Sequence, residues 1–276
     1  MDNKTLYLSD LDGTLLRPDE TISSYTVDVI NNFIQNGGYF SFATARSAVT
    51  AANVTGNLNV NLPIICYNGG FIINSATKEV LHSNFFMPDD SDFIRRTLME
   101  HKIYPIVYSY IDGAERFSFI EKYASGGMRQ FQASRAGDVR ERPVEREEDL
   151  YAGEIFYFTC VEDEEKIAPV HAMICCDSRF NCIYYKDIYC NGQWCEIMPS
   201  GVSKAVAALK LKELMGSDKL ISFGDGINDI PMFKVSDECY AMSNAAPELK
   251  AVATDVIGGN NEDGVAKWIE ENVGGH

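Results

Sequence analysis

Short apolar runs alternate with helix-like segments over the first 82 residues. Apolar runs of strand length occur at residues 5–9, 39–44 and 64–67. Between the first two runs, Ser23 or Ser24 can cap a helix whose apolar side chains share one face, and Gly37 ends it. A second helix is predicted over residues 48–54, and Asn68-Gly69-Gly70 indicates a turn. This alternation is typical of a parallel sheet covered by helices.

The pattern changes over residues 85–192, where longer aromatic-rich strands are separated by charged segments. Residues 105–110 and 116–120 flank Asp112-Gly113 and predict a β-hairpin. Further elements are predicted as strands at residues 154–161, 181–186 and 188–190 and as a helix over residues 163–176. Residues 135–148 carry many charges of both signs and few apolar side chains, so they predict a solvated loop. This middle segment is therefore predicted to be an α+β insertion.

From Trp194 onward the alternation of strands and helices returns. In chain order the sequence predicts a strand near Glu196, a helix from Ser203, a strand over residues 219–223, a helix after Asn228, a strand over residues 239–242 and an amphipathic helix from Glu262. Both ends of the chain therefore have the pattern of one core domain, formed by residues 1–84 and 193–276. Residues 85–192 would be a second domain inserted into it.

Composition and charge exclude several classes of protein. With 46% hydrophobic and 23% charged residues among 276, the chain is typical of a soluble globular protein. Its 24 Lys and Arg residues against 40 Asp and Glu residues give a net charge of −16, which repels nucleic acids and anionic membrane surfaces. We therefore expect neither as a partner. A phosphorylated ligand is repelled as well, so it would need a local cluster of cations, a metal ion or backbone N–H groups.

The sequence also bears on cellular location. No apolar run is long enough to span a bilayer, and the first ten residues contain two acids and no long apolar stretch. We therefore expect no membrane span, no secretory signal and a cytoplasmic location. Six of the eight cysteines lie within residues 160–195 without a CxxC pair, which gives little support to a zinc site or a disulfide framework. Reduced thiols that serve as small buried hydrophobic side chains explain them better.

Two carboxylates, Asp10 and Asp12, directly follow the first predicted strand. Ligands of open α/β sheets bind outside the carboxyl ends of the strands, so these acids lie where a site is expected. Holding the carboxylates of Asp10 and Asp12 close together costs free energy, so the pair is expected where a cation offsets their repulsion or where a function requires it. A solvated turn is the alternative, because Asp-Gly is a common turn dipeptide. A calcium loop is excluded, since the twelfth position counted from Asp10 is Thr21 and not Glu.

Asp225 and Asp229 lie in a second acidic turn, again just after an apolar strand. Together with Asp10 and a backbone carbonyl, they could form the all-oxygen shell that Mg²⁺ prefers where it shares a site with phosphate. Asp229 alone could equally be an acid at the start of a helix, where the helix dipole favours it. Two acidic turns at the ends of separate strands of one core favour the metal site.

Lys204 and Thr44 are candidates for holding a phosphate. Lys204 lies in the first turn of a predicted helix, where the positive end of the helix dipole disfavours a lysine unless an anion binds nearby. An exposed lysine is the ordinary alternative. Thr44 ends the second predicted strand and offers a hydroxyl and backbone donors, but by itself it indicates nothing.

Other chemistries lack their motifs in this sequence. GxxxxGK[ST] and GxSxG are absent, and Gly224-Asp225-Gly226 does not continue to GxGxxG, which disfavours the common nucleotide-binding and serine hydrolase classes. The four histidines are scattered without HxxxH spacing, and we expect them in surface or packing roles: they are His82, His101, His171 and His276.

Taken together, these segments resemble the haloacid dehalogenase (HAD) superfamily of phosphohydrolases, in its Cof-like subgroup with a type IIB cap. The four matching motifs are Asp10-Leu11-Asp12-Gly13-Thr14, Thr44, Lys204 and Gly224-Asp225-Gly226-Ile227-Asn228-Asp229. Further segments similar to Cof-type proteins are Tyr67-Asn68-Gly69-Gly70, Met242-Ser243-Asn244-Ala245 and Asn261-Glu262-Asp263-Gly264-Val265-Ala266. The resemblance covers nearly the whole chain. It implies an α/β fold with a Rossmann-like parallel-sheet core and an inserted α+β cap domain.

The resemblance implies a role for each matched residue. Asp10 would be the nucleophile that forms an aspartyl-phosphate, and Asp12 would act as general acid and then general base. Mg²⁺ would be the cofactor, and its ligands would be Asp10, Asp12, Asp225 and Asp229. The phosphoryl oxygens would be held by Leu11, Thr44, Ala45, Lys204 and Asn228. Many relatives have glycine in place of Ala45, and this departure could narrow which substrates fit.

The function implied by the resemblance is a Mg²⁺-dependent phosphatase of small phosphorylated metabolites, with sugar phosphates as the first expectation. One alternative is a phosphotransferase or phosphomutase that uses the same aspartyl-phosphate. Another is a non-catalytic phosphate or metal sensor. We expect the middle domain to set substrate specificity, and the chain to be a monomer or a weak homodimer.

Overall fold

The computed structural model describes residues 4–133, 135–186 and 192–273. The chain forms two compact units: a core unit, Met1–Ser83 with Val202–His276, and an insert unit, Asn84–Gly201. The strands are β1 (Thr5–Ser9), β2 (Tyr39–Phe42), β3 (Ile64–Cys66), β4 (Phe71–Ile73), β5 (Val80–Ser83), β6 (Ile106–Ile111), β7 (Ala114–Phe119), β8 (Glu141–Pro143), β9 (Glu154–Glu162), β10 (Phe180–Lys186), β11 (Gln193–Pro199), β12 (Lys219–Gly224), β13 (Glu238–Met242) and β14 (Asp255–Ile257). The helices are α1 (Ser24–Gln35), α2 (Ala48–Thr55), α3 (Pro88–Glu100), α4 (Gly126–Ala133), α5 (Glu147–Leu150), α6 (Glu164–Cys175), α7 (Lys204–Met215), α8 (Ile230–Val235), α9 (Pro247–Lys250) and α10 (Gly264–Asn272). Among the described residues, none of these helices has the length and apolar character that crossing a membrane requires.

A five-stranded parallel sheet forms the centre of the core unit, in the order β14-β13-β12-β1-β2. Leu6 and Leu8 of β1 and Phe223 of β12 are fully buried, as expected for apolar strands of a parallel sheet. An isolated parallel bridge between Ala43 and Ile65 continues the sheet to the antiparallel strands β3, β4 and β5. The predicted α/β core with a parallel sheet is confirmed.

The register of β1 decides which segments meet at the carboxyl edge of this sheet. Ser9 pairs with Phe223 of β12 on one side and with Phe42 of β2 on the other. Because the three strands are parallel, the segments that follow them leave the sheet side by side. These segments carry the two acidic turns and Thr44.

Serine caps fix the starts of two core helices where the sequence predicts them. Ser23 Oγ accepts a hydrogen bond from the N–H of Thr26 at 3.0 Å, and Ser203 Oγ accepts one from the N–H of Val206 at 3.2 Å. Since α7 begins at Lys204, the second cap fixes this lysine in the first turn of its helix.

The insert unit contains a six-stranded sheet in the order β10-β11-β9-β6-β7-β8, antiparallel except for the parallel pair β7–β8. Ile94 of α3 and Ile167 of α6 join Phe158 of β9 in its apolar core. The predicted hairpin is formed by β6 and β7, with Asp112 and Gly113 in the turn at φ values of +51° and +76°. The α+β character predicted for this segment is confirmed.

Two segments differ from the sequence interpretation, and one lies outside the described residues. Residues 193–199, assigned from the sequence to the core, form β11, which pairs with β9 and β10; the units divide after Gly201. Hydrophobic alternation shows that a segment is a strand but does not show which sheet it joins. The predicted solvated loop over residues 135–148 contains β8 and a buried Arg140. The strand predicted at residues 188–190 lies outside the described residues.

The cysteines of the described residues are not joined to one another in disulfides. Cys66, Cys160, Cys195 and Cys239 are buried, as expected for small hydrophobic side chains. Cys175 and Cys176, in contrast, are exposed.

Candidate active site

The first acidic segment turns sharply as it leaves β1. The N–H of Asp10 donates to the carbonyl of Phe223 at 2.9 Å, so the pairing with β12 continues for one residue beyond the strand. The carbonyl of Leu11 then accepts a hydrogen bond from the N–H of Thr14 at 3.2 Å, which closes a turn around Gly13. Gly13 has a φ of +76°, a conformation that glycine adopts at little cost.

A side chain at position 13 would also collide with the second acidic turn. A Cβ atom built on Gly13 would lie 2.2 Å from Asp225 Oδ2. Thr14 Oγ1 donates to Oδ1 of the same carboxylate at 3.0 Å. The two acidic turns therefore pack directly against each other, although 211 positions separate Thr14 from Asp225 in the sequence.

Asp229 holds the second acidic turn together. Its Oδ2 accepts hydrogen bonds from the N–H groups of Asp225 at 3.1 Å and Gly226 at 3.0 Å. Its Oδ1 accepts a hydrogen bond from Lys204 Nζ at 2.6 Å. A Cβ atom on Gly224 would lie 2.6 Å from Asp229 Oδ2, so the small residue before the turn is a spatial requirement. Asp229 thus fixes the turn that presents Asp225.

Lys204 lies between two carboxylates. Its Nζ is 2.6 Å from Oδ1 of Asp10 as well as from Asp229, and the exposed fractions of the Lys204 and Asp10 side chains are 0% and 8%. Burial acts to lower the pKa of Lys204, but the charges of Asp10 and Asp229 outweigh it and raise this pKa above its ordinary value. The amine is therefore protonated, and the ordinary alternative of an exposed lysine is wrong.

The three acids of this cluster carry more negative charge than one lysine balances. Burial raises the pKa of Asp10 well above its ordinary value; Lys204 opposes this rise, and Asp229 and Asp225 add to it. Burial, followed by the charge of Asp229, raises the pKa of Asp225 to about 6. Bringing a cation to the cluster would stabilise the ionised forms of both.

The donor set of this cluster fits a hard divalent cation. One carboxylate oxygen from each of Asp10, Asp225 and Asp229 lies within 4.8 Å of the others. Oxygen ligands of this kind suit Mg²⁺, which binds through one or two carboxylates and keeps several waters. The residues therefore fit the metal that the sequence resemblance implies.

Thr44 and Asn228 border the same edge of the sheet. Thr44 is buried after β2; its N–H donates to the carbonyl of Ile65 at 3.0 Å, so its hydroxyl is the group that it can offer to a phosphate. The neighbouring Ala45 is exposed. Asn228 Nδ2 donates to Asn68 Oδ1 at 3.2 Å.

Asp12 pairs with Arg46. Within the described residues the carboxylate cluster consists of Asp10, Asp225 and Asp229. The Asp12 carboxylate, 51% exposed, accepts hydrogen bonds from Arg46 Nη2 at 2.6 Å and from Arg46 Nε at 2.9 Å. The sequence gives no sign of this pairing, because it depends on β1 and β2 being neighbours in the sheet.

Asn68 is a second residue whose contribution the sequence did not reveal. It has a φ of +53°, and a Cβ atom on the following Gly69 would lie 2.3 Å from the carbonyl oxygen of Ser203. The turn therefore packs against the start of α7, which carries Lys204, while the Asn68 amide contacts Asn228. The sequence indicates a turn at Asn68-Gly69, but it does not show that this turn packs against the start of α7.

Two asparagines from the C-terminal part of the chain hold the first acidic segment in place. Asn244 Nδ2 donates to the carbonyl of Gly13 at 2.8 Å, and Asn260 Nδ2 donates to the carbonyl of Leu16 at 2.8 Å. Each satisfies a backbone acceptor that lies outside a regular element. Segments distant in sequence thereby stabilise the loop that carries Asp10.

Comparison with known proteins identifies the family. Residues 7–269 match the haloacid dehalogenase-like hydrolases. A similar curated protein is YitU of Bacillus subtilis (strain 168), a 5-amino-6-(5-phospho-D-ribitylamino)uracil phosphatase, 24% identical over 269 residues that cover 95% of each chain. YwtE of the same organism, with the same named activity, is 27% identical over 297 residues that cover 96% of this chain and 97% of YwtE.

Solved structures agree with this fold. A haloacid dehalogenase-like hydrolase from Bacteroides thetaiotaomicron has a TM-score of 0.79 at 25% identity and covers 97% of this chain and 98% of its own. The HAD subclass IIB sugar phosphatase BT4131 has a TM-score of 0.76 at 19% identity, with the same coverages of 97% and 98%. The fold, the matched residues and the curated relatives confirm the resemblance found in the sequence. The chain belongs to the haloacid dehalogenase-like hydrolases and is a phosphatase of that family.

Proposed function

We propose that this phosphatase hydrolyses phosphate monoesters of small metabolites, sugar phosphates foremost, with Mg²⁺ and through an aspartyl-phosphate on Asp10. The observation that carries the proposal is the convergence of Asp10, Asp225 and Lys204 at one buried edge of the core sheet. A carboxylate nucleophile, oxygen ligands for a divalent cation and an ammonium group for phosphate are the parts that phosphoryl transfer requires.

The metal would be held chiefly by Asp10 and Asp225, with the backbone carbonyl of Asp12. Asp229 would support this shell, because its oxygens already accept hydrogen bonds from Lys204 and from the turn of Asp225. When bound, Mg²⁺ would offset the negative charge of the carboxylates and of the phosphate.

In the first chemical step, an oxygen of Asp10 would attack phosphorus as the bond from phosphorus to the leaving oxygen breaks. The electron pair of that bond stays on the leaving oxygen, which takes a proton from Asp12 and departs as an alcohol. Lys204, whose Nζ lies 2.6 Å from Asp10, would stabilise charge on the phosphoryl oxygens. The other contacts to these oxygens would come from Thr44, Asn228 and the N–H groups of Leu11 and Ala45.

In the second step, water would attack the phosphorus of the aspartyl-phosphate. The water gives its proton to the Asp12 carboxylate, and the electron pair of the broken bond returns to Asp10. Phosphate is released and both aspartates regain their starting states.

Two similarities support a polyhydroxylated alcohol as the leaving group. YitU and YwtE are named for an ester whose phosphate is carried by a ribityl chain, and BT4131 is named a sugar phosphatase. We propose that the core unit supplies the catalytic groups, as the sequence leads one to expect for residues 1–84 and 193–276 apart from the segment that forms β11. The insert unit would then supply the contacts that select the alcohol.

The test is phosphate release from a panel of sugar phosphates and from p-nitrophenyl phosphate, in ¹⁸O-labelled water, with Mg²⁺ or with EDTA. We expect many turnovers that require Mg²⁺, and ¹⁸O in the released phosphate, because water attacks phosphorus in the second step. Transfer of phosphate to a second sugar without ¹⁸O would identify a phosphotransferase or phosphomutase instead. Release of no more than one phosphate per chain would favour a sensor.

A further inference from the structure

Arg46 forms ion pairs with both Asp12, in the first acidic turn, and Glu20. Its Nη2 lies 2.6 Å from Asp12 Oδ1 and 2.9 Å from Glu20 Oε1, and its Nε lies 2.9 Å from Asp12 Oδ2. The Arg46 side chain is 18% exposed, whereas those of Asp12 and Glu20 are 51% and 65% exposed. The guanidinium therefore lies between two carboxylates that are more exposed than it is.

The backbone at Glu20 is unusual for a residue with a side chain. Glu20 has a φ of +61°, in the left-handed region that glycine prefers. Its N–H donates to the carbonyl of Arg17 at 2.9 Å, and the N–H of Arg17 donates to the carbonyl of Thr21 at 2.9 Å. The sequence has glutamate where glycine would remove the strain, so the side chain has a use that offsets its backbone cost.

The turn that carries Glu20 is itself anchored. Arg17 Nη2 pairs with Asp263 Oδ1 at 3.2 Å, and the carbonyl of Leu16 accepts a hydrogen bond from Asn260 Nδ2 at 2.8 Å. The N–H and hydroxyl of Thr21 both donate to Asp19 Oδ1, at 3.1 Å and 2.6 Å. Glu20 is thus presented to Arg46 by a turn that several hydrogen bonds and an ion pair hold in place.

The contacts fix the Asp12 carboxylate unequally at its two oxygens. Asp12 Oδ1 accepts hydrogen bonds from both Nε and Nη2 of Arg46, at 3.1 Å and 2.6 Å, whereas Oδ2 accepts one from Nε at 2.9 Å. A carboxylate oxygen can accept two hydrogen bonds, so Oδ2 has room for one further hydrogen-bond contact. A planar fork of this kind also fixes the direction of the carboxylate, which a lysine does not do.

We propose that Arg46, anchored by Glu20, is a positioning residue that holds the Asp12 carboxylate in the orientation needed to protonate an alkyl leaving group. This inference rests on the proposed function. An alkoxide is a poor leaving group, so a sugar phosphate needs the proton from Asp12 as its phosphorus–oxygen bond breaks. A p-nitrophenolate departs without that proton. Loss of Arg46 therefore harms the two classes of ester unequally.

The experiment compares Arg46→Gln, Arg46→Lys and Glu20→Gln on glucose 6-phosphate, ribose 5-phosphate and p-nitrophenyl phosphate, using whichever sugar phosphate the wild type hydrolyses faster. In Arg46→Gln we expect kcat/KM for the sugar phosphate to fall by about 100-fold and kcat/KM for the aryl phosphate by less than about threefold, because kcat/KM reports the first step, whereas the water attack that also uses Asp12 is common to both esters. Arg46→Lys should recover only part of the loss, because it restores the charge without the fork. Glu20→Gln, at a largely exposed side chain, should show a weaker form of the same selective loss.

Combination with Asp12→Asn tests whether Arg46 acts through Asp12. In the Asp12→Asn background, adding Arg46→Gln should lower the sugar phosphate kcat/KM no further. Arg96→Gln is the matched control, since it removes another arginine that is paired with an aspartate, 64% exposed on α3. We expect this control to leave both activities unchanged.

The outcomes separate this inference from the proposed function. The role of Arg46 would be overturned if Arg46→Gln and Glu20→Gln lowered kcat/KM equally for the sugar phosphate and the aryl phosphate. It would also be overturned if both variants kept full activity on the sugar phosphate. In either case the proposed phosphatase activity would stand. A further loss in the double variant would also overturn the role of Arg46. A wild-type chain that releases phosphate from none of these esters with Mg²⁺ would overturn the proposed function, and this inference with it.

Discussion

The core unit and the insert unit each bury a cation between two carboxylates, with opposite results. In the insert unit, Arg140 Nη2 lies 2.5 Å from Asp138 and its Nη1 lies 2.6 Å from Glu115, and the exposed fractions of these three side chains are between 6% and 14%. In the core unit, Lys204 pairs with Asp10 and Asp229, which are as deeply buried. The core cluster has one acid more, because Asp225 joins it.

The pKa values follow the balance of charge. Hydrogen bonds from Arg140 lower the pKa of Asp138 below its ordinary value, so the ionised form of Asp138 is stabilised. Burial raises the pKa values of Asp10 and Asp225, and the charges of the neighbouring carboxylates add to this rise. Lys204 opposes the rise but does not cancel it, since one lysine does not balance three carboxylates. One cation and two carboxylates leave one excess negative charge in the triad of the insert unit, which serves the fold, whereas one cation and three carboxylates leave two in the core cluster, whose oxygens fit a divalent cation.

The largest contrast is expected between Asp10→Asn and Asp138→Asn. Asp10→Asn should lower kcat by roughly 10⁴-fold or more, because it removes the proposed nucleophile. Its free energy of unfolding at pH 7 should stay the same or rise slightly, since the ionised Asp10 is disfavoured by burial. Asp138→Asn should do the reverse: it should lower the free energy of unfolding by about 1–3 kcal/mol and leave the phosphatase with kcat of wild-type order.

Both quantities can be measured on the same preparations, by steady-state phosphate release and by urea denaturation. Substantial turnover in Asp10→Asn would contradict the assignment of the nucleophile. A large loss of stability in that variant would contradict the view that the core cluster carries uncompensated charge.

Removal of the central cation should separate the clusters by their response to metal. Lys204→Met and Arg140→Met should each lower the free energy of unfolding by about 3–5 kcal/mol, because buried carboxylates lose their partner. Added Mg²⁺ should recover part of the loss in Lys204→Met, since the core cluster presents metal-binding oxygens. It should recover none in Arg140→Met.

Melting temperatures with and without Mg²⁺ provide the measurement. Lys212→Met is the control for Lys204→Met, because Lys212 lies on the same helix in a surface pair with Asp237; we expect it to cost no more than about 1 kcal/mol. Equal recovery by Mg²⁺ in Lys204→Met and Arg140→Met would refute the comparison.

Two glycines allow backbone strain to be separated from crowding at the site. Gly13 and Gly113 both have a φ of +76°, but a Cβ atom on Gly113 would have no neighbour within 4 Å among the atoms described, while one on Gly13 would lie 2.2 Å from Asp225. Gly113→Ala should cost about 1 kcal/mol from strain alone. Gly13→Ala should cost about 2–4 kcal/mol, since the turn must also move away from Asp225.

Urea denaturation gives the difference in the free energy of unfolding between the two alanine variants. Activity assays give, for each variant, the Mg²⁺ concentration at half-maximal activity. Gly13→Ala should raise that concentration and Gly113→Ala should not. If both variants lost the same free energy of unfolding and kept the wild-type Mg²⁺ requirement, the close packing of the two acidic turns would be contradicted.

The smallest effect concerns Glu196, a buried acid of the insert unit whose carboxylate accepts a hydrogen bond from Tyr157 Oη at 2.7 Å. Burial raises the pKa of Glu196 to about 7, and the bond from Tyr157 opposes this rise. A folded-state pKa above the unfolded value means that the folded chain binds more protons, so stability is lost as pH rises from 4.5 to 7. Glu196→Gln should remove this loss, which is at most about 2 kcal/mol between pH 5 and pH 7.

The free energy of unfolding as a function of pH tests this, with Glu148→Gln, 81% exposed, as the control that should keep the wild-type slope. If Glu196→Gln kept that slope too, Glu196 would not be the titrating group.

The sequence determined much of this protein because several of its signals are local. The short run Leu6-Tyr7-Leu8 specifies β1, Ser203 specifies the start of α7, and Asp112-Gly113 specifies a hairpin turn, since each depends on neighbours along the chain. The family motifs added the expectation that Asp10, Asp225 and Lys204 act together.

Only the tertiary structure decided the contacts between segments that are distant in the sequence. The neighbouring positions of β1 and β2 bring Arg46 to Asp12, the packing of the two acidic turns requires glycine at position 13, and pairing with β9 assigns β11 to the insert unit. Tertiary structure also decided the burial of Arg140, which lies in a charged segment that the sequence predicts to be a solvated loop. A hydrophobic pattern records which residues are buried, but sheet order and charge pairing arise from which buried surfaces meet, and that is a property of the whole fold.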